Sequence, residues 1–214
     1  RTLKGGLCMK ILSTTAAAAV LAAGLAAPAS AALFSGSFSV GGSALSDPGL
    51  VVKAAPNPGT VNANLDVGES TTFHIFTIWT DETTVQSDDM VDQSIEVSFN
   101  FSSPVTDGTL SGTSDGKVSG CFFGVCPTQY GTVSWNNPLE LSFGPGDTGK
   151  ASISMSDEEF NKGFFFGTKE GEKYGAKVYA TLSYDVAPVP LPAAGFVLLG
   201  ALAAAGVAYR RRAA

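Results

Sequence analysis

The chain has 214 residues, of which 44% are hydrophobic and 15% charged, with a formal net charge of −6. Hydrophobic content at that level excludes a disordered chain, and the shortage of Lys and Arg excludes a surface built to hold nucleic acid. The charge is also unevenly placed. All 19 acidic residues fall between positions 32 and 188, against seven lysines and no arginine, so this central portion carries a net charge near −12. Such a portion repels nucleic acid and anionic lipid.

The first segment reads as an export signal. Met9-Lys10 precedes an apolar run, Ile11 to Ala27, and then Pro28-Ala29-Ser30-Ala31. A basic start, an apolar stretch and a small-x-small site make a signal peptide over residues 1–31, with Ala29 and Ala31 as the small residues and cleavage after Ala31. Residues 1–8 read as an extension upstream of a true start at Met9. No apolar stretch precedes Cys8, so a lipoprotein cysteine is not the reading there.

From Leu33 onward helix-period signals nearly vanish and two-residue alternation takes over. Phe34 to Val40 predicts a first strand. Gly41 to Pro48 is a loop, and Leu50-Val51-Val52 a short strand ended by the turn Pro56-Asn57-Pro58-Gly59. Val61 to Val67 alternates cleanly. Thr72 to Thr80 has apolar residues at both phases, which predicts a central strand covered on both faces, with His74 packed inside. Asp81 to Asp92 is an acidic loop. Ile95 to Phe101 predicts a half-buried strand.

Thr106-Asp107-Gly108 and Ser114-Asp115-Gly116 flank Leu110 in a hairpin-like pattern. Val133 and Trp135 share a face. Strands follow at Leu139 to Phe143 and Ala151 to Met155, separated by the Gly144 to Gly149 turn. Ser156 with Glu159 three residues on predicts a capped helical turn. The last strand runs from Val178 to Val186. About ten short strands with glycine and proline turns between them predict an all-β fold, an antiparallel β-sandwich or jelly roll over residues 32–188. The crossover helices of a parallel fold are missing.

Cys121 and Cys126 stand in Cys-Phe-Phe-Gly-Val-Cys. In an exported chain so close a pair predicts a local disulfide, with reduced thiols the alternative. Its small ring stabilises by about 2 kcal/mol in the loop-entropy model. Zinc would need two more suitable ligands, and the sequence has one histidine. A redox pair would want a two-residue spacer.

The chain closes on Val189-Pro190-Leu191-Pro192-Ala193, an uncharged run from Ala194 to Tyr209, and Arg210-Arg211-Arg212. With its prolyl shoulder the run approaches the length of a bilayer core, about 30 Å at about 1.5 Å per helical residue. It therefore predicts one carboxy-terminal transmembrane helix. The three arginines hold that end on the cytoplasmic side.

This order resembles the carboxy-terminal sorting signal of exosortase substrates, the PEP-CTERM-like group, in the variant whose motif reads VPLPA. The resemblance covers residues 187–214 and gives an address rather than an activity. It implies export through signal peptidase and the secretion machinery, and a precursor held in the inner membrane by its tail. It further implies processing near the motif by a membrane-embedded exosortase, then placement at the cell surface or outside a Gram-negative cell. A structural or adhesive role in biofilm or envelope, beside extracellular polysaccharide, is what the resemblance suggests. The alternative is a carbohydrate-binding module or a weak glycan-acting enzyme on the same address.

Catalytic chemistry is thin. A nucleophilic triad needs a base beside an activated Ser, Cys or Thr. The single histidine falls in a strand, and no Gly-x-Ser-x-Gly elbow, phosphate loop or dinucleotide fingerprint occurs. Glycoside hydrolysis needs two facing carboxylates, for which Asp81 to Asp92 and Asp157 to Glu159 are the candidates. No catalytic residue is assigned and no enzyme activity is expected. No cofactor is implied either. The calcium candidates are Asp88, Asp89 and Asp92, whose hard oxygens cluster but match no known calcium loop. Trp79 and Trp135 could stack on sugar rings, but their phase with apolar neighbours places them in the core.

Overall fold

The computed structural model describes residues 31–120, 128–164 and 167–188. These form eleven strands: β1 (Ala32–Gly41), β2 (Lys53–Ala55), β3 (Gly59–Leu65), β4 (Ser70–Trp79), β5 (Gln93–Ser103), β6 (Val105–Ser119), β7 (Thr128–Trp135), β8 (Leu139–Phe143), β9 (Gly149–Met155), β10 (Glu158–Phe164) and β11 (Ala176–Val186). All strand pairs are antiparallel. A six-stranded sheet runs β10-β7-β6-β5-β1-β3 and a five-stranded sheet runs β2-β4-β11-β9-β8. The fold is therefore all-β. Among the described residues no helix is long and apolar enough to cross a membrane. The expected span at 194–209 lies outside them.

The alternation read in the sequence explains how the sheets meet. Ile95, Val97, Phe99 and Phe101 of β5 are all buried while the residues between them are exposed. The same period two on β1, β8, β9 and β11 sends one apolar face of each sheet toward the other. Phe34 of β1 meets Phe143 of β8 and Tyr184 of β11 edge-on, with ring centroids 5.7 and 5.5 Å apart. Phe76 of β4 meets Trp135 of β7 at 6.4 Å. Each such aromatic side chain contributes about 1.5–3 kcal/mol through burial, so these cross-sheet contacts are the main cement.

Four expectations need correction. Leu50-Val51-Val52 is not a strand. Leu50 and Val52 are buried, but the segment crosses the core as a loop, and pairing starts at Lys53. The expected hairpin at 106–116 is one continuous strand, β6. Its glycines serve close approach rather than a turn: a β-carbon on Gly108 would press on Leu139 and Leu141 at 3.1 Å. Ser156 starts no helix, because Glu158 and Glu159 pair with β7 as part of β10. Ser156 instead donates its hydroxyl hydrogen bond to Glu158, at 2.6 Å.

The fourth correction concerns His74. β4 does lie inside its sheet, between β2 and β11, but only one of its faces is covered. Register places His74 opposite Tyr179 and Phe76 opposite Val178, so Ile75 is an extra residue on β4. That bulge flips the phase of the strand. Ile75 and Phe76 are consecutive and both buried, and His74 is left on the exposed outer face.

Candidate functional site

The outer face of the six-stranded sheet is a polar surface. It arises because the residues alternating with the buried apolar ones on β3, β1, β5 and β6 are mostly Ser, Thr and Asn. Thr60, Ser37, Asn100 and Asp107 fall in register across four strands. Beside them Ser39, Ser98 and Thr109 form a second row, in which the Ser98 and Thr109 hydroxyls lie 3.1 Å apart. Ser35 donates to Asn62 at 2.7 Å. Adjacent strands space these groups by about 4.8 Å, and alternate residues along a strand by about 6.8 Å.

A shallow groove of about 400 Å³ crosses these rows, bordered by Ser37, Ser39, Pro58, Asn100, Asp107 and Thr109. Phe38 and Phe99 beneath it are each only 2% exposed, so no aromatic ring faces the groove. Its chemistry is that of neutral donors and acceptors with one carboxylate. It can hold a hydroxyl-rich surface through hydrogen bonds, and it offers no stacking platform.

The acidic loop forms a second candidate, at the end of the sheets where β4 finishes and β5 starts. Asp89 is buried and its carboxylate accepts the Gln86 amide at 2.7 Å, while its carbonyl accepts the Gly116 amide at 2.7 Å. Asp88 and Asp92 are exposed. Among the described residues no three His, Cys, Asp or Glu side chains come together as a metal site would require. Asp89 is committed to holding the loop.

Glu82 accepts the Val51 amide at 2.7 Å. Burial raises its pKa, and Asp89, Asp47 and Asp88 add repulsion in the same direction. Asp115 is 4% exposed and takes hydrogen bonds from the Lys117 ammonium and the Thr132 hydroxyl. The bond to Asp115 in turn raises the pKa of Lys117.

A residue the sequence did not single out organises this end of the fold. Asn161 is fully buried with φ of 52°, in the left-handed region where Asn is among the few tolerated side chains. Its Oδ1 accepts the Thr80 amide at 2.9 Å, and its Nδ2 donates to the carbonyls of Gly171, at 3.0 Å, and Lys169. The acidic loop after β4 and the loop before β11 are thus both tied to β10. The only signal in the sequence is an Asn directly after the expected helical turn of Ser156 to Phe160, which is not distinctive.

The remaining candidate carboxylates have structural partners. Asp157 accepts the Trp135 amide at 2.8 Å, Glu159 pairs with Lys162 at 2.9 Å, and Asp81 pairs with Lys53. Trp135 is buried in the core, as expected, whereas Trp79 is half-buried and stands opposite Lys53. The exposed His74 leans edge-on against the exposed Tyr179, with ring centroids 5.9 Å apart. Ala31 is exposed immediately before β1. Ala29, Cys121, Cys126, the Val189 to Ala193 motif and Arg210 to Arg212 lie outside the described residues.

Fold and surface together define an all-β domain of two facing antiparallel sheets, with hydrogen-bonded carboxylates and a broad polar face. Comparison with protein families, with curated proteins and with solved structures gave no match.

Proposed function

We propose that the protein is an exported cell-surface or extracellular-matrix component, processed by an exosortase, with a structural or adhesive role beside extracellular polysaccharide. In this reading the domain is an open β-sandwich followed by a single transmembrane helix. The observation that carries the reading is the order Val-Pro-Leu-Pro-Ala, apolar run and triple arginine, which begins three residues after β11 ends. The polar outer face is compatible with it, because rows of hydroxyls and amides suit a hydrated polymer without demanding one ligand. Signal peptidase and the secretion machinery act first, then the inner membrane holds the precursor until the tail is cut.

The test is the mass of the mature protein from hosts with and without exosortase. Loss of the residues beyond about Ala193 only in the exosortase host is the expected result, and an intact tail in that host refutes the reading. The second reading, a glycan-binding module, is favoured by the exposed pair of Tyr179 and His74. A glycan array with and without calcium separates the two. Saturable binding to one glycan, abolished by Tyr179→Ala, would select the module.

A further inference from the structure

An open sheet ends in strands whose outer N–H and C=O groups face water, and such edges pair with other chains unless something guards them. Four strands end the two sheets: β10 and β3 in one, β2 and β8 in the other. Three of them carry guards. β2 has only three residues, begins at Lys53, which pairs with Asp81, and is followed by Pro56. β8 has five residues, lies between Pro138 and Pro145 and carries Glu140, and its Ser142 carbonyl accepts the Thr106 hydroxyl at 2.9 Å. β10 slips register between Phe160 and Gly163, turns through the left-handed Asn161, and carries Glu158, Glu159 and Lys162.

β3 has none of these devices. Gly59–Leu65 is seven residues long, with no charge and no proline inside it. It pairs with β1 without a break in register, from Leu65 opposite Ala32 to Gly59 opposite Phe38. Its other side has no strand partner among the described residues. Across a groove of about 420 Å³ stand Thr71 and Phe73, in the first part of β4, which β2 does not reach. That part of β4 is interrupted by the bulge at Ile75, whereas β3 runs straight. Ala63 and Phe73, on the two walls of the groove, are only half-buried.

The residues of β3 select the strand that fits this edge. Laid antiparallel on a copy of itself about a two-fold axis through Asn62, the strand sets Asn62 against Asn62, Val61 against Ala63, Thr60 against Asn64 and Gly59 against Leu65. Polar side chains meet on the outer face, small and apolar ones on the inner face, and no charge faces another. The inner side chains of the incoming strand enter the groove and cover Ala63 and Phe73. Charge also selects the direction. Asp66 and Glu69 follow β3 directly, and both are exposed. A parallel pairing would set the two acidic turns side by side. The antiparallel one puts Asp66 beside Pro58 of the copy and holds the turns about 27 Å apart, at about 3.4 Å per residue, well beyond a Debye length of about 8 Å.

We infer that two copies of this chain join edge to edge through β3, antiparallel and two-fold symmetric, so that their six-stranded sheets become one continuous sheet. The polar outer faces of both copies then lie side by side on that sheet. The inference does not depend on export or on the tail. Because the contact is uncharged while the domains that it joins are acidic, salt strengthens it, the reverse of an ion-paired interface.

The test is sedimentation equilibrium of the full-length chain in density-matched detergent, with micelles in large excess over chains. The parent should form a dimer that tightens as salt rises. Asn62 is exposed, so a charge placed there meets its own copy across the axis without disturbing the core. Asn62→Lys and Asn62→Asp should each weaken the dimer about fivefold. Mixing these two variants in equal amounts should restore it, because opposite charges then meet. Thr113→Lys, exposed on β6 in the middle of the same sheet, should leave it unchanged. A dimer that Asn62→Lys leaves as tight as before overturns the inference, and so does a mixture no tighter than either variant alone, which puts position 62 off the axis. A monomeric parent overturns it too, and leaves the edge to a strand from another protein.

Discussion

Asn161→Ala should destabilise the domain by about 4 kcal/mol, more than the loss of any exposed ion pair in it. The magnitude follows from the groups left behind. Thr80 loses the partner of a fully buried amide, and the carbonyls of Gly171 and Lys169 lose their amide donor. Each unmade bond in that setting costs about 1 kcal/mol or more. Alanine at φ of 52° adds about 1 kcal/mol of backbone strain, which glycine does not suffer.

Asn161→Gly should therefore be less damaging than Asn161→Ala by about 1 kcal/mol, the reverse of the usual order for a strand residue. Urea denaturation followed by the fluorescence of buried Trp135 reads both variants. Hydrogen exchange should show early opening of the loops around Glu82 and Gly171. An Asn161→Ala variant within 1 kcal/mol of the parent, at an unchanged slope in urea, would refute the assignment of Asn161 as the tie between these loops.

Lys117→Met should cost about 2–3 kcal/mol, because it leaves the Asp115 carboxylate buried with only Thr132, and the double change with Asp115→Asn should recover part of the loss. The raised pKa of Lys117 means that its contribution is fully present below the unfolded value of 10.5 and is lost as pH rises through the folded value. Alkaline unfolding curves of the parent and Lys117→Met should accordingly converge.

Glu82→Gln keeps an acceptor for the Val51 amide and removes a carboxylate disfavoured by burial and by Asp89, Asp47 and Asp88. The parent should lose stability as pH rises from 4.5 through the raised folded value of Glu82, and the variant should lose less, with a difference below about 1 kcal/mol at neutral pH. Thermal melts between pH 4 and 8 give the comparison. Gly131→Ala should cost about 1–3 kcal/mol by overpacking, since a β-carbon there collides with the Phe160 ring and lies 2.9 Å from Leu50. Denaturant midpoints give the check, and a neutral result would place the ring elsewhere.

Period two is a local property, and it made most of the strands legible. A residue's side of the sheet depends only on its neighbours' pleat, so β1, β3, β5, β8, β9 and β11 could be read directly. The composition of those strands also wrote the polar outer face, since the residues between Phe34 and Phe38 are Ser35, Gly36 and Ser37, and those that alternate with the buried ones from Ile95 to Phe101 are Glu96, Ser98 and Asn100. The export and sorting expectations rest on the order and hydrophobicity of the terminal tracts alone, so they needed no fold.

Pairing decided the rest. Nothing local distinguishes Gly108, Gly112 and Gly116 in a long strand from the same glycines in turns; the neighbouring β7, Leu139 and Val85 make the difference. The phase of His74 hangs on a one-residue bulge against β11. Asn161 acquires its importance only when chain segments about 80 residues apart meet, as Thr80 and Asn161 do. That the chain enters and leaves the domain at one end likewise follows from how the strands are ordered. A sequence records each side chain's own preference for water or oil, but which other groups stand beside it is settled by contacts distant in the chain.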